Sequence, residues 1–280
     1  PVPTMRPRRH GMDYLLFLTV AAICAFGVVM LFSASYYYAQ SFQGDGYYYV
    51  KKQLIFLAIG IPVMFGLSFV DYKFYRRFAW MAYLLIILLL IAVLLFGKNL
   101  QGGQRWLKIG PLQFQPSELA KFIIVICMAK YMTDHHEDMP SFVRGLLPMA
   151  ALLVVPAVLI YFQPNVSMLI ILCIVFAIML FIGGADLKYL SIAALIGGAA
   201  LVVLLFAASY RESRITAWLD PWGNKSDAGY QIVQSLYAFG NGGWFGQGLD
   251  ASRQKLLFLP YRESDFILSI IAEELGFVTV

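Results

Sequence analysis

Residues 13–33 read DYLLFLTVAAICAFGVVMLFS, one acidic residue followed by an apolar run with no further charge. A run of roughly 20 such residues is what a helix needs to cross a bilayer. It must be helical, because hydrocarbon offers backbone N–H and C=O groups no outside partner. Runs of the same kind recur at 53–70, 78–96, 116–131, 146–162, 166–182 and 187–208. A last one begins at Ser264 and is still apolar at Val280. The expected fold class is therefore an all-α polytopic membrane protein, with about eight transmembrane helices.

Composition agrees. Hydrophobic residues make up 60% of the chain and charged residues 13%, and the mean hydropathy is +0.72, far from soluble-domain averages. The net charge of +5 sits in the segments between apolar runs. That is the positive-inside pattern of a protein among membrane lipids, not a nucleic-acid patch. With the N-terminus in the cytoplasm, Lys73, Arg76, Arg77, Lys130, Arg144 and Lys188 fall inside, and Lys51-Lys52 is the one conflict in a shorter outer loop. Arg6, Arg8 and Arg9 look like the start of a signal peptide, but the run behind them is too long and lacks a cleavage site, so an uncleaved anchor is expected. At the other end, no cap or polar tail follows Gly276, so a chain cut off within or just after its last helix is expected.

The resulting plan is one transmembrane domain over 1–280. Residues 1–12 are cytoplasmic, 98–115 form an outer loop, 210–263 a large outer loop, and 264–280 the start of helix 8. A segment as long as 210–263 without a membrane-length apolar run is usually functional. Its glycines and tryptophans argue against a plain linker and for short re-entrant or interfacial helices, some of the tryptophans marking the headgroup level. Cys24, Cys127 and Cys173 lie singly in apolar runs, which predicts neither a disulfide nor a zinc site. His135-His136 beside Glu137-Asp138 reads as a solvated loop, so no metal ligands are assigned.

Ionisable groups in apolar segments are costly unless paired or watered, which makes each a functional candidate. Gln115-Pro116-Ser117-Glu118-Leu119-Ala120-Lys121 opens helix 4, with Pro116 suited to its first position and Glu118 to its positive end. Glu118 and Lys121, three apart, can pair on one face. In 264–274, Asp265, Ser269 and Glu273 are spaced four apart and form one polar stripe, with Glu273 about 12 Å deeper than Asp265. Helix packing accounts well for Glu273 and Glu274, and less well for Asp265, which adjoins the long loop. A carboxylate at the membrane surface suits general-base activation of a sugar hydroxyl. Arg105, Lys108, Arg211, Arg214, Arg253, Lys255 and Arg262 are cations that could stabilise a departing diphosphate. No P-loop or dinucleotide fingerprint appears.

Several motifs, in order along the whole chain, resemble the SEDS family (FtsW/RodA/SpoVE). They are Gln104-Arg105-Trp106-Leu107, the 115–121 segment, Tyr230-Gln231, Gln234-Ser235, Gly242-Gly243-Trp244-Phe245-Gly246-Gln247-Gly248, Leu259-Pro260, Ser264-Asp265-Phe266 and Glu273-Glu274-Leu275-Gly276. The resemblance implies a peptidoglycan glycosyltransferase of the bacterial cytoplasmic membrane that polymerises lipid II and releases undecaprenyl diphosphate. It implies Asp265 as the essential carboxylate, Lys121 and Glu118 at the central cavity, and Arg105 and Trp106 in an outer loop implicated in activity. Ser117, Gln115, Arg214, Lys255, Ser269 and Glu273 are the further substrate-binding or cavity candidates. It also implies a class B penicillin-binding protein as partner, and allows Mg2+ or Mn2+ at the diphosphate, although no residue set here specifies a cation. Ser252-Arg253-Gln254-Lys255 before Leu259-Pro260 looks more like the FtsW/SpoVE branch, in division or sporulation, than RodA.

The chain departs from the family pattern in three places. The family usually has ten helices. Its Gln-Pro-Asp after helix 5 is Gln163-Pro164-Asn165 here, which leaves Glu118 as the partner for Lys121. Its His-Thr-Asp run is Glu263-Ser264-Asp265. Two other functions compete, a lipid II flippase and a non-catalytic scaffold for a penicillin-binding protein. The first should show inverted repeats, and none is clear.

Overall fold

The computed structural model describes residues 13–100, 103–109, 112–206, 209–226 and 229–280. The basic segment 1–12 lies outside them. The chain divides into two compact units, Val70–Ala207 and the pair Pro1–Phe69 with Ala208–Val280.

In the first of these units, α3 (Tyr72–Phe96), α4 (Pro116–Asp134), α5 (Leu147–Phe162), α6 (Val166–Ile182) and α7 (Leu187–Phe206) form a helical bundle. Ile86 and Leu90 of α3, Ile124 and Met128 of α4, and Leu172 of α6 build its buried centre. Pro156 sits inside α5 and has no N–H to give to Leu152 O. Tyr83 of α3 donates its hydroxyl to that carbonyl at 3.0 Å, so the proline is tolerated where no water is at hand. Asn165 caps α6 through Met168 N at 3.4 Å, a task for which its carbonyl oxygen serves as well as a carboxylate.

Between α3 and α4 the expected plain loop is a three-stranded antiparallel sheet, β1 (Lys98–Leu100), β2 (Gly103–Ile109) and β3 (Leu112–Phe114), in the order β1-β2-β3. The sheet is a small insert in an otherwise helical fold, which keeps to the expected all-α class. The strands are short, and Arg105, Trp106 and Leu107 are all half-buried in succession, so no two-residue alternation marks them in the sequence.

The other unit holds α1 (Tyr14–Gln43), α2 (Tyr48–Ser68), α8 (Ser209–Leu219), α9 (Tyr230–Gly242) and α10 (Ile267–Leu275). α1 runs ten residues beyond the apolar stretch that announced it, to Gly44 at φ 71°. Its extension carries Tyr36, Tyr37 and Tyr38, with Tyr36 edge-on to Phe32 and to Tyr47. α8 and α9 are the short helices expected within 210–263.

The expected apolar helix from Ser264 to Val280 is corrected. α10 has 9 residues, ends at Gly276 (φ 83°), and is followed by a single 3-10 turn, Phe277–Thr279. The cause is the glycine-rich motif of 242–248, which wraps the end of α10. Gln247 N and Gly248 N donate to Glu273 O and Glu274 O at 3.0 and 2.9 Å, and Phe277 N donates to Gly243 O at 2.9 Å. Carbonyls that a continuing helix would need are thereby taken. A Cβ at Gly276 would lie 2.3 Å from Gly246 N, and one at Gly242 2.0 Å from Ala272 O. Gly276→Ala is therefore expected to cost at least about 1–3 kcal/mol, read as a lowered unfolding temperature in detergent.

Four helical segments among the described residues are long and apolar enough to cross a membrane, Tyr14–Gln43, Tyr48–Ser68, Tyr72–Phe96 and Phe142–Phe162. The apolar helices Val166–Ile182 and Leu187–Ala199 are shorter. This is the architecture of an integral membrane protein.

Candidate functional site

The candidate residues fall in both units. In the Val70–Ala207 unit, Pro116 occupies the first turn of α4 behind Gln115, which is half-buried and makes no side-chain cap. Glu118 lies in that first turn, where the helix dipole favours an anion. Lys121 Nζ is 2.8 Å from Glu118 Oε2, with the two side chains 26% and 55% exposed. The pair drawn from spacing is thus formed, and Glu118 is the partner that the Asn165 departure left to Lys121. Ser117 is fully buried and its hydroxyl has no partner among the described residues.

Arg105 lies on β2. Its Nε donates to Gln163 O at 3.2 Å and its Nη2 to Pro164 O, at the end of α5 where carbonyl groups run out of helical partners. Gly103 leaves room for this, since a Cβ there would stand 2.8 Å from Arg105 Nε. Gln163 in turn donates to Leu90 O at 3.1 Å. Trp106 is half-buried on the same strand, opposite Lys98. Arg105 therefore ties the sheet to the α5–α6 turn, a link with no signal in the sequence.

In the other unit, Asp265 lies in the turn ahead of α10, one residue before the N-cap Phe266. It is exposed, and its carboxylate makes no hydrogen bond or ion pair among the described residues. The rest of the polar stripe differs. Ser269 and Glu273 are buried, at 2% and 0% exposure. Ser269 Oγ is 2.6 Å from Ser235 Oγ of α9. Glu273 accepts from Asn241 Nδ2 at 3.1 Å, from Gln254 N at 3.2 Å and from Ser252 Oγ. The four-residue spacing is helical only from Ser269 to Glu273, so Asp265 is set by the turn instead.

Lys255, expected among the cations for a diphosphate, is 1% exposed. Arg262 is 3% exposed, donates to Lys255 O at 2.7 Å, and lies over the Tyr38 ring at 5.0 Å. Burial lowers its pKa from the usual guanidinium value, against the pull of Glu263. Arg262 Nε, Glu263 Oε2 and Gln254 Oε1 are enclosed and have no hydrogen-bond partner among the described residues. Arg214 is exposed on α8, and the side chain of Arg211 lies outside the described residues.

No three His, Cys, Asp or Glu side chains converge as metal ligands among the described residues. Mg2+ and Mn2+ need several oxygen ligands. Asp265 offers one free carboxylate, while Glu273 and Glu274, the next along the chain, are engaged by buried protein partners. The donor set does not fit a protein-built cation site.

The FtsW/RodA/SpoVE family model, described as cell cycle protein, matches residues 13–280. The "probable peptidoglycan glycosyltransferase FtsW" of Saccharophagus degradans is 36% identical over 269 residues, covering 95% of this chain and 70% of the relative. The "stage V sporulation protein E" of Bacillus subtilis is 34% identical over 276 residues, covering 98% and 75%. Among solved structures, a chain of a peptidoglycan synthase complex that coordinates polymerization and crosslinking superposes with a TM-score of 0.72 at 28% identity, covering 95% of this chain and 72% of that one. The rod shape determining protein RodA of Thermus thermophilus does so at 0.65 and 25% identity, covering 97% and 70%. With its motifs, its helical membrane architecture and these likenesses in agreement, the chain belongs to the FtsW/RodA/SpoVE family of cell cycle proteins.

Proposed function

We propose that this protein is a peptidoglycan glycosyltransferase that polymerises lipid II into glycan strands, with Asp265 as its catalytic base. The observation that carries the assignment is the state of the carboxylates on and before α10. Glu273 and Glu274 are buried and held by protein donors, whereas Asp265 is exposed and free of partners among the described residues. A base must have an open lone pair within reach of the proton it takes.

In this reading Asp265 accepts the proton of the acceptor sugar's 4-hydroxyl. The resulting oxygen nucleophile attacks the donor's anomeric carbon. The bond from that carbon to the diphosphate oxygen breaks, and undecaprenyl diphosphate leaves with the electron pair. Arg214, exposed on α8, is the cation assigned to its developing charge. Lys121 and Glu118 are assigned to the binding of the lipid-linked substrate. The protein works in the bacterial inner membrane with its N-terminus in the cytoplasm, and its partner is a class B penicillin-binding protein that cross-links the new strand. The FtsW and SpoVE names of its relatives support a role in division or sporulation.

The test is glycan synthesis from purified lipid II by the full-length parent protein together with its partner. Polymer is expected. Its absence, with lipid II instead crossing the bilayer of a proteoliposome, would replace the polymerase with a flippase. Absence of both would leave a scaffold.

A further inference from the structure

Glu273 and Glu274 are neighbours on α10, so their side chains leave the helix about 100° apart and are gripped by different parts of the unit. Glu273 faces α9 and the loop after it. Glu274, 1% exposed, faces α1, where Ser33 Oγ lies 2.7 and 2.8 Å from its two oxygens. Lys255 Nζ is 3.0 Å from Glu274 Oε1 and 3.2 Å from Ser33 Oγ. The donors run one way, from the ammonium to the serine oxygen and from the serine hydroxyl to the carboxylate. Lys255 also pairs with Asp250, whose side chain is 71% exposed.

Three sequence-distant segments thus meet at one enclosed ion pair. The residues flanking it continue the contact. Ala34, next to Ser33, packs with Leu259 and Ile270, and Phe266 and Ile267 lie against that cluster. Phe266 follows Asp265 directly. The place of Asp265 is accordingly decided by how α10 is seated on α1. An ammonium buried to this degree is closed off from a lipid-linked diphosphate, and its charge is balanced within the protein.

We propose that Lys255 is a positioning residue, forming with Glu274 and Ser33 a buried charge latch that seats α10 on α1 and so sets the catalytic geometry of Asp265. The latch rests on the polymerase reading for its consequence in catalysis, and on geometry alone for its effect on α10. Removing the ammonium leaves a carboxylate buried without a counter-charge, whereas removing both charges leaves a neutral contact that can repack.

The experiment uses the full-length protein with its partner and lipid II. Lys255→Met is expected to lower kcat roughly 10- to 100-fold, as a small misplacement of a base does, with KM within about twofold of wild type. The double variant Lys255→Met/Glu274→Gln is expected to recover most of the lost kcat, because the unbalanced charge is gone. Hydrogen exchange of the 266–275 amides is read on the same three proteins. It is expected to be at least roughly tenfold faster in Lys255→Met and to return towards wild type in the double variant. Should Lys255→Met fail to fold, Glu274→Gln alone breaks the same link and carries the same readouts. A raised KM with no recovery in the double variant would make Lys255 a substrate ligand and overturn the proposal, as would unchanged exchange. If the wild type makes no polymer, the polymerase reading fails, while the exchange pattern still decides the latch.

Discussion

Asp265→Asn is expected to lower glycan polymerisation by the full-length protein roughly 10²- to 10⁴-fold, the range that loss of a general base covers. The change keeps the size and shape of the side chain and removes its basicity. Because the Asp265 carboxylate is exposed and has no partner among the described residues, no buried group among them loses a hydrogen bond. Stability should therefore stay within about 0.5 kcal/mol of wild type. The measurement is initial rate against lipid II concentration, with thermal unfolding in detergent as the control. A variant with wild-type kcat would remove Asp265 from the chemistry and favour the flippase or scaffold reading.

Glu273→Ala is expected to act in the opposite way, through stability. Its carboxylate receives Asn241 Nδ2, Ser252 Oγ and Gln254 N in an enclosed place. Alanine leaves three donors without an acceptor, at about 1–3 kcal/mol for each one that cannot reach water. A loss of about 3 kcal/mol or more follows, seen as a clear drop in unfolding temperature. Glu273→Gln keeps one acceptor oxygen and should lose less. If Glu273 were instead a substrate contact, alanine would weaken lipid II binding and leave unfolding nearly unchanged.

These two residues show how much of the site could be read in advance. Spacing placed Asp265, Ser269 and Glu273 on one stripe, which is right from Ser269 to Glu273 and wrong for Asp265. The difference lies in the turn at 261–266, where Phe266 N bonds to Tyr261 O and Tyr261 has a φ of 52°. Such a turn has no periodicity to betray it. The Glu118–Lys121 pair was legible because three residues along a helix bring two side chains together whatever else surrounds them. Arg105 was legible as a cation but not as a strut between β2 and the end of α5. Its partners, Gln163 O and Pro164 O, are backbone atoms almost 60 residues away.

The fold divides along the same line. α6 spans Val166–Ile182 as its apolar run announced, and α3 and α5 end at Phe96 and Phe162 as theirs did. In hydrocarbon each helix must satisfy its own backbone, so segment length and apolarity determine it with no reference to its neighbours. The strands of 98–114 and the stop of α10 at Gly276 are different, since their hydrogen bonds run to distant segments. Order and spacing along the chain were enough for a membrane protein with its apolar helices, the start of α4 and the acidic cluster at 265–274. Which of those acids is left open depends on contacts between distant segments, because the buried donors that occupy Glu273 and Glu274 come from α1, α9 and the loop between α9 and α10.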